Sequence, residues 1–282
     1  MIICLKRAAI AQLCSTGNKH RNLLNIAKCA NLAKEQSASM LFLPECCGFL
    51  GISAQETLTN AEEIMNEPLI DQESRSASAL RTTLECVLKT GNDSELSNQD
   101  MLENSQVSIV KGLQTIAMKS DMWISGTLHE QGAPASPNSA EKHPRVYNTH
   151  IIVDNHGQIV SKYRKIHLFD VSIPSEGINL CESATTAPGS TLVVCDSPIG
   201  KLGLSTCYDL RFPEMYRALV EEGGADVILI PSAFTVPTGK AHWHTLLRGK
   251  IFACHHIMSA FFSFCTILHY TTNTLFINND VS

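Results

Sequence analysis

Apolar positions along the first half of the chain alternate between two spacings. Residues 8–14 and 40–43 are short apolar runs, the second stopped by Pro44, and both read as buried strands. Between them Leu23, Ile26, Ala27, Ala30 and Ala33 recur at helical spacing. Asn18 precedes them, and an asparagine side chain can cap a helix start. A strand, a helix and a strand in this order open an α/β layered domain.

Residues 67–104 break the pattern. They are polar and rich in Ser, Glu, Asn and Gln, and read as a flexible insertion between two helical pieces. Leu80, Leu84, Val87 and Leu88 would form one amphipathic set, and Ile109, Leu113 and Ile116 another. Residues 122–127 resume the strand pattern, and residues 132–144 read as a loop. Two hairpins follow. Residues 147–153 and 158–163 flank the turn Asp154, Asn155, His156, Gly157; residues 191–196 and 201–206 flank Ser197, Pro198, Ile199, Gly200. Pro213 suits the first turn of a helix that runs to about residue 222 and ends at Gly223 and Gly224. Residues 226–230 form a buried strand closed by Pro231, and residues 241–254 read as helical. Beyond them the pattern degrades. The most apolar late stretch, residues 257–268, is shorter than the ~20 residues a bilayer-crossing helix needs.

Composition narrows the function classes. The chain has 282 residues, 44% hydrophobic and 17% charged, which supports a sizeable core. A net charge of -5 argues against nucleic acid as the main partner, which requires a dense basic face. Eleven cysteines, an odd number lying partly inside apolar runs, do not read as a disulfide framework. A reducing compartment is expected, the cytoplasm first and the mitochondrion second. Lys6 and Arg7 interrupt the N-terminal apolar run, so no signal peptide is expected there.

Three places combine a reactive side chain with a strand end. Glu45 follows the apolar run Leu41-Phe42-Leu43-Pro44, where partial desolvation makes a carboxylate a better base. A loop or capping glutamate is the plain alternative. Lys165 follows a strand within YRKIHLFD, and can stabilise an oxyanion or belong to a basic surface loop. Cys207, in STCYDLRFPEMYR, ends a buried strand shortly before a helix, the context that exposes a nucleophile near helix amides. A buried structural cysteine is its alternative. Arg211 could pair with a substrate carboxylate, or with Asp209 or Glu214. His167 could be a general base or a hydrogen-bonded structural residue. His242, His244, Cys254, His255 and His256 invite a metal reading, but no zinc-finger or HExxH spacing is present. No Ser-His-Asp order and no glycine-rich phosphate loop stands out.

Taken together, FLPE with Glu45, YRKIHLFD with Lys165 and STCYDLRFPEMYR with Cys207 resemble the nitrilase superfamily of carbon–nitrogen hydrolases. PSAF and AHW add a likeness to its Nit branch. The resemblance implies an α/β fold, an αββα sandwich, that dimerises into a larger homo-oligomeric core. It implies Cys207 as nucleophile, Glu45 as general base, Lys165 as oxyanion stabiliser and Glu182 as a supporting active-site carboxylate. It implies no metal or organic cofactor, a small-molecule amide as substrate, and neither nucleic acid nor membrane as partner. The expected hydrolase domain covers residues 7–250, with the polar insertion at about 67–104. Residues 251–282 depart from the family and read as an atypical tail without its usual C-terminal strands. The Nit branch reads AHWE where this chain has Ala241-His242-Trp243-His244. Three functions remain open at this stage: an amidase for a deaminated glutathione-like substrate; a truncated or impaired nitrilase-fold binding module; and an ω-amidase or carbamoyl hydrolase of the same superfamily.

Overall fold

The two apolar runs at the start of the chain pair in parallel, as β1 (Arg7–Gln12) and β2 (Ala38–Phe42), through helix α1 (Lys19–Glu35). The computed structural model describes residues 7–65, 75–91, 102–132, 144–174, 178–254, 261–264 and 274–278. Asn18 caps α1 as its position suggests, its side-chain oxygen accepting from the Arg21 amide at 2.8 Å. Helices α2 (Ala54–Asn60), α3 (Arg75–Thr90) and α4 (Ile109–Ser120) follow, then β3 (Trp123–Gln131), β4 (Val146–Val153) and β5 (Ile159–Arg164). The turn between β4 and β5 uses Gly157 at φ 78°, where glycine carries no Cβ penalty. A short hairpin, β6 (Asp170–Ile173) with β7 (Ile178–Cys181), precedes β8 (Val194–Cys195) and β9 (Leu202–Leu204). Helix α5 (Pro213–Arg217) runs into a π-helical turn, Ala218–Glu222, and β10 (Val227–Ser232), α6 (Val236–Cys254), β11 (Phe261–Phe264) and β12 (Thr274–Asn278) complete the order.

One sheet has the order β12-β1-β2-β3-β4-β5 and another the order β11-β10-β9-β8. Strand alternation sorts the core into two halves. Ala9, Ala11, Leu41, Ile151 and Val153 face α1, α3 and α4, whereas Ala8, Met40, Phe42 and Ile152 face the second sheet and α5 and α6. Both faces of the first sheet are covered, and the layers run αββα. Gly112 allows α4 close to α1, since a Cβ there would come within 2.4 Å of Leu23.

Two expectations change. The polar span at 67–104 contains α3, whose Leu80, Leu84, Val87 and Leu88 are buried in the helical half of the core. Each such burial contributes about 1.5–3 kcal/mol, enough to dock a helix with polar flanks. Residues 67–74 and 92–101 lie outside the described residues, as do residues 133–143 of the expected loop. The tail also supplies strands: β11 pairs in parallel with β10, and β12 pairs antiparallel with β1. Parallel strands read as continuous apolar runs, so FFSF carries no alternation to mark it. Among the described residues no helix is long and apolar enough to cross a membrane.

Between the sheets, fully buried His150 joins both. Its Nε2 lies 2.7 Å from the Ser125 hydroxyl and its Nδ1 donates to the Ser205 carbonyl at 3.1 Å. Burial pulls its pKa from 6.5 to about 4, against the Ser205 carbonyl and Asp209, which act to raise it. The folded value is depressed, so this contribution is present above pH 6.5 and is lost as pH falls toward 4. Going from pH 7 to pH 5 should therefore cost about 2 kcal/mol through this residue. Urea unfolding at both pH values checks this, and His150→Asn should flatten the difference. An unchanged pH dependence in that variant would assign it elsewhere.

Candidate active site

Strand ends of both sheets bring the three sequence-marked residues together. Glu45 follows β2, Lys165 follows β5, and Cys207 follows β9 at the start of a 3-10 turn, Cys207–Arg211. Cys207 has φ 47°, a left-handed conformation that strains a non-glycine residue and is held here by the surrounding turn. Glu45 is only 5% exposed and is fixed from three directions. Asn148 Nδ2 donates to Oε1 at 2.8 Å, the Ala233 amide donates to Oε2 at 2.8 Å, and Lys165 Nζ donates to Oε1 at 3.2 Å. Lys165 Nζ also donates to both oxygens of Glu182, at 3.0 and 2.9 Å, and the Phe169 amide holds Glu182 Oε2 at 2.7 Å. Glu182 thus sits in the cluster, reached by the β6–β7 hairpin.

The electrostatics couple these groups. Burial acts to lower the Lys165 pKa, but Glu45, Cys207 and Glu182 outweigh it and hold the ammonium well above the ordinary lysine value. Burial and then the Glu45 charge push the Cys207 thiol well up, while Lys165 and the Ala233 amide pull the other way. Cys207 is therefore held as a thiol, with the Glu45 side chain beside it on the cavity lining.

The cluster opens into a cavity of about 550 Å³. Phe169, Val171, Leu180, Leu210, Phe234 and Leu246 give it apolar walls, and exposed Arg211 lies on its lining. Asp209 and Glu214 were alternatives for Arg211, but Asp209 is engaged by Tyr163, Thr206 and His167. His167 is one of these holders of Asp209 and stacks on Phe212 at 3.6 Å; it is not on the cavity lining. The AHW motif helps shape the wall, where Trp243 packs edge-on against Phe234 at 5.0 Å. His244, the departure from AHWE, is exposed on α6 and is not on the lining. His255 and His256 lie outside the described residues. Among the described residues no group of three metal-ligating side chains forms.

Some site residues escaped the sequence reading. Asn148 sits mid-strand in β4, and an interior strand asparagine is unusual enough to have flagged it. His129, on β3, lines the cavity 3.8 Å from the Cys46 sulfur, and burial pulls its pKa to about 4 against the raising effect of Glu182. The backbone amide of Ala233 carries no side-chain signal at all.

A second cavity, of about 630 Å³, lies away from this cluster around Lys19, Glu62, Arg81 and Ser108. Glu62 there accepts from Lys19 at 2.8 Å and from the Ile109 and Val110 amides at 2.9 and 3.2 Å, so it caps the start of α4.

The αββα layering and the buried carboxylate–lysine–thiol cluster point to one class of protein, and the chain belongs to the carbon-nitrogen hydrolase family, whose model matches residues 7–281. Among its relatives, the deaminated glutathione amidase of Dictyostelium discoideum is 37% identical over 249 residues, covering 87% of this chain and 70% of that protein. The nitrilase and fragile histidine triad fusion protein of Drosophila melanogaster is 33% identical over 244 residues, covering 86% of this chain and 41% of the fusion. The crystal structure of the C. elegans NitFhit protein matches with a TM-score of 0.64 at 28% identity, over 95% of this chain and 53% of that one. The chain thus spans about half the length of these fusion proteins.

Proposed function

We propose that the chain is a cysteine-dependent amidase acting on a small carboxylate that bears a terminal amide. The observation that carries this reading is the convergence of Cys207, Glu45, Lys165 and Glu182 on one cavity, with the thiol against the carboxylate. Glu45 takes the Cys207 proton as sulfur attacks the amide carbon. Lys165, held by Glu45 and Glu182, faces the developing oxyanion and stabilises it. The tetrahedral adduct collapses to a thioester as Glu45 returns its proton to the departing ammonia. Water then attacks the thioester carbon, giving one proton to Glu45. The carbon–sulfur bond breaks, the proton returns to sulfur, and the carboxylic acid leaves. Arg211 on the cavity lining pairs with the substrate's own carboxylate.

The names of the relatives support deaminated glutathione as the first substrate to test, and the ω-amide α-ketoglutaramate represents the superfamily alternative. Ammonia release from each, at equal concentration with purified chain, is the measurement. Release is expected from both or one, with the larger kcat/KM identifying the acyl group preferred. Folded protein that releases ammonia from neither would favour a nitrilase-fold binding module over an amidase.

A further inference from the structure

Asp209 is completely buried and makes no contact with the cavity, yet it joins the two loops that carry the reactive groups. Its Oδ2 accepts from the Thr206 amide at 2.8 Å, directly before Cys207, and from the Tyr163 hydroxyl at 2.6 Å. Its Oδ1 accepts from the His167 amide at 3.0 Å and from His167 Nδ1 at 2.7 Å. The Tyr163 hydroxyl in turn accepts from the Ile166 amide at 3.1 Å. Donors from residues 163 and 167, and through Tyr163 from 166, therefore bracket Lys165, while a donor from residue 206 adjoins the nucleophile. A carboxylate without solvent needs its lone pairs satisfied, and four donors do so here. Burial and then the Asp209 charge keep the Tyr163 hydroxyl protonated, so it stays a donor.

We infer that Asp209 is a positioning residue, a clamp that fixes the spacing between Lys165 and Cys207 by gripping both of their loops. This rests on the amidase reading for its catalytic consequence, but the clamp itself concerns only the two loops. Through the Thr206 amide it ties down the residue directly before Cys207, which helps hold Cys207 at φ 47°. It also explains why Tyr163 and His167 sit on either side of Lys165 without lining the cavity.

The test uses the full chain and its Asp209→Asn, Tyr163→Phe and combined variants. Two readouts are taken: kcat and KM for amide hydrolysis, and the rate of Cys207 alkylation by iodoacetamide, followed by mass mapping of its peptide. A misplacement of about 1 Å between reacting groups costs about 10²-fold, so Asp209→Asn should lower kcat by that order and leave KM within about twofold. Cys207 alkylation should slow in parallel. Tyr163→Phe, which removes one hydroxyl, should lower both rates roughly tenfold. The combined variant should be no slower than Asp209→Asn alone, because the two act through one device. A purely structural role would reduce the amount of folded protein while leaving kcat per reactive Cys207 unchanged, and that result overturns the inference. Additive losses in the combined variant overturn it as well. Should Asp209→Asn fail to fold, Tyr163→Phe decides alone, by slowed or unchanged alkylation. If the parent chain hydrolyses no amide, the amidase reading fails while the alkylation rates still judge the clamp.

Discussion

Cys207→Ala is expected to lower amide hydrolysis by at least ~10⁴-fold while leaving KM measurable only by binding, since the proposed acyl acceptor is gone. The cavity holds two other thiols, and neither can take over. Cys46 is buried with its sulfur toward His129, and burial followed by the adjacent Glu45 charge pushes its pKa well up. Cys181 is exposed on β7, with its sulfur 3.4 Å from the Ser183 hydroxyl. Cys46 shares the left-handed backbone, at φ 53° against 47° for Cys207, and Lys165 acts to lower the pKa of both. What sets Cys207 apart is its place after β9 at the start of the 3-10 turn, with its thiol coupled to the Glu45 side chain. Truncation to alanine leaves the turn, Glu45 and Lys165 in place, so the thermal midpoint should stay within a few degrees of the parent. Ammonia release and thermal unfolding measured on the same preparation check both halves. Parent-level release from Cys207→Ala would remove the thioester route altogether.

The parts of the fold that were legible are those whose local chemistry agrees with the final packing. Asn18 caps α1 in either view, and Asp154 to Gly157 forms a turn because glycine supplies the positive φ the turn needs. In the first sheet β1 and β2 were recognisable as apolar runs and β4 and β5 as partners across a turn, whereas its edge strand β12 lies in the tail that showed no strand pattern. The β6–β7 hairpin was missed as well. It is short, it belongs to neither main sheet, and exposed Leu180 and Cys181 offer no apolar run. The spacing of Leu80, Leu84, Val87 and Leu88 was visible for α3, but its polar flanks made the span read as a flexible insertion rather than a helix docked in the core.

The candidate site divides in the same way. Glu45, Lys165 and Cys207 each stand just past a strand, but each also had a plain structural alternative, and it was the three motifs together that marked them. Glu182 needed the family resemblance, because a glutamate after a short exposed strand looks like any surface residue. Beyond the nearby Thr206 amide, Asp209 and Asn148 do their work through hydrogen bonds to partners 42 to 103 residues away, which spacing within a motif does not show. Arg211 next to Asp209 suggested a local ion pair, but burial of Asp209 among Tyr163, Thr206 and His167 places its oxygens elsewhere.

Lys165→Met should damage stability and turnover together, and the reason lies in what remains behind. Lys165 is 3% exposed and its ammonium bridges two carboxylates, at 3.2 Å from Glu45 and 2.9 Å from Glu182. Methionine keeps the volume but strands both carboxylates beside each other without a cation. Removing one partner of a buried ion pair costs about 3–5 kcal/mol, because the desolvated charge left behind is uncompensated. For a chain of this size that corresponds to a fall on the order of 10 °C in Tm. The pH dependence carries a sign that can be checked. The folded-state pKa of Lys165 is raised, so its contribution is fully present below the ordinary lysine value of 10.5 and is lost only as pH climbs through the higher folded value. The parent should therefore show no loss from this residue anywhere between pH 6 and 9. On the proposed mechanism, in which Lys165 stabilises the oxyanion, its loss should also lower kcat by about 10²–10³-fold. Lys165→Arg should not fully rescue it, since the larger planar guanidinium does not reproduce the compact ammonium held between Glu45 and Glu182 in a buried site. Scanning calorimetry and ammonia release on both variants would settle the matter, and a Lys165→Met protein with parent Tm would mean that the cation adds nothing net to the fold.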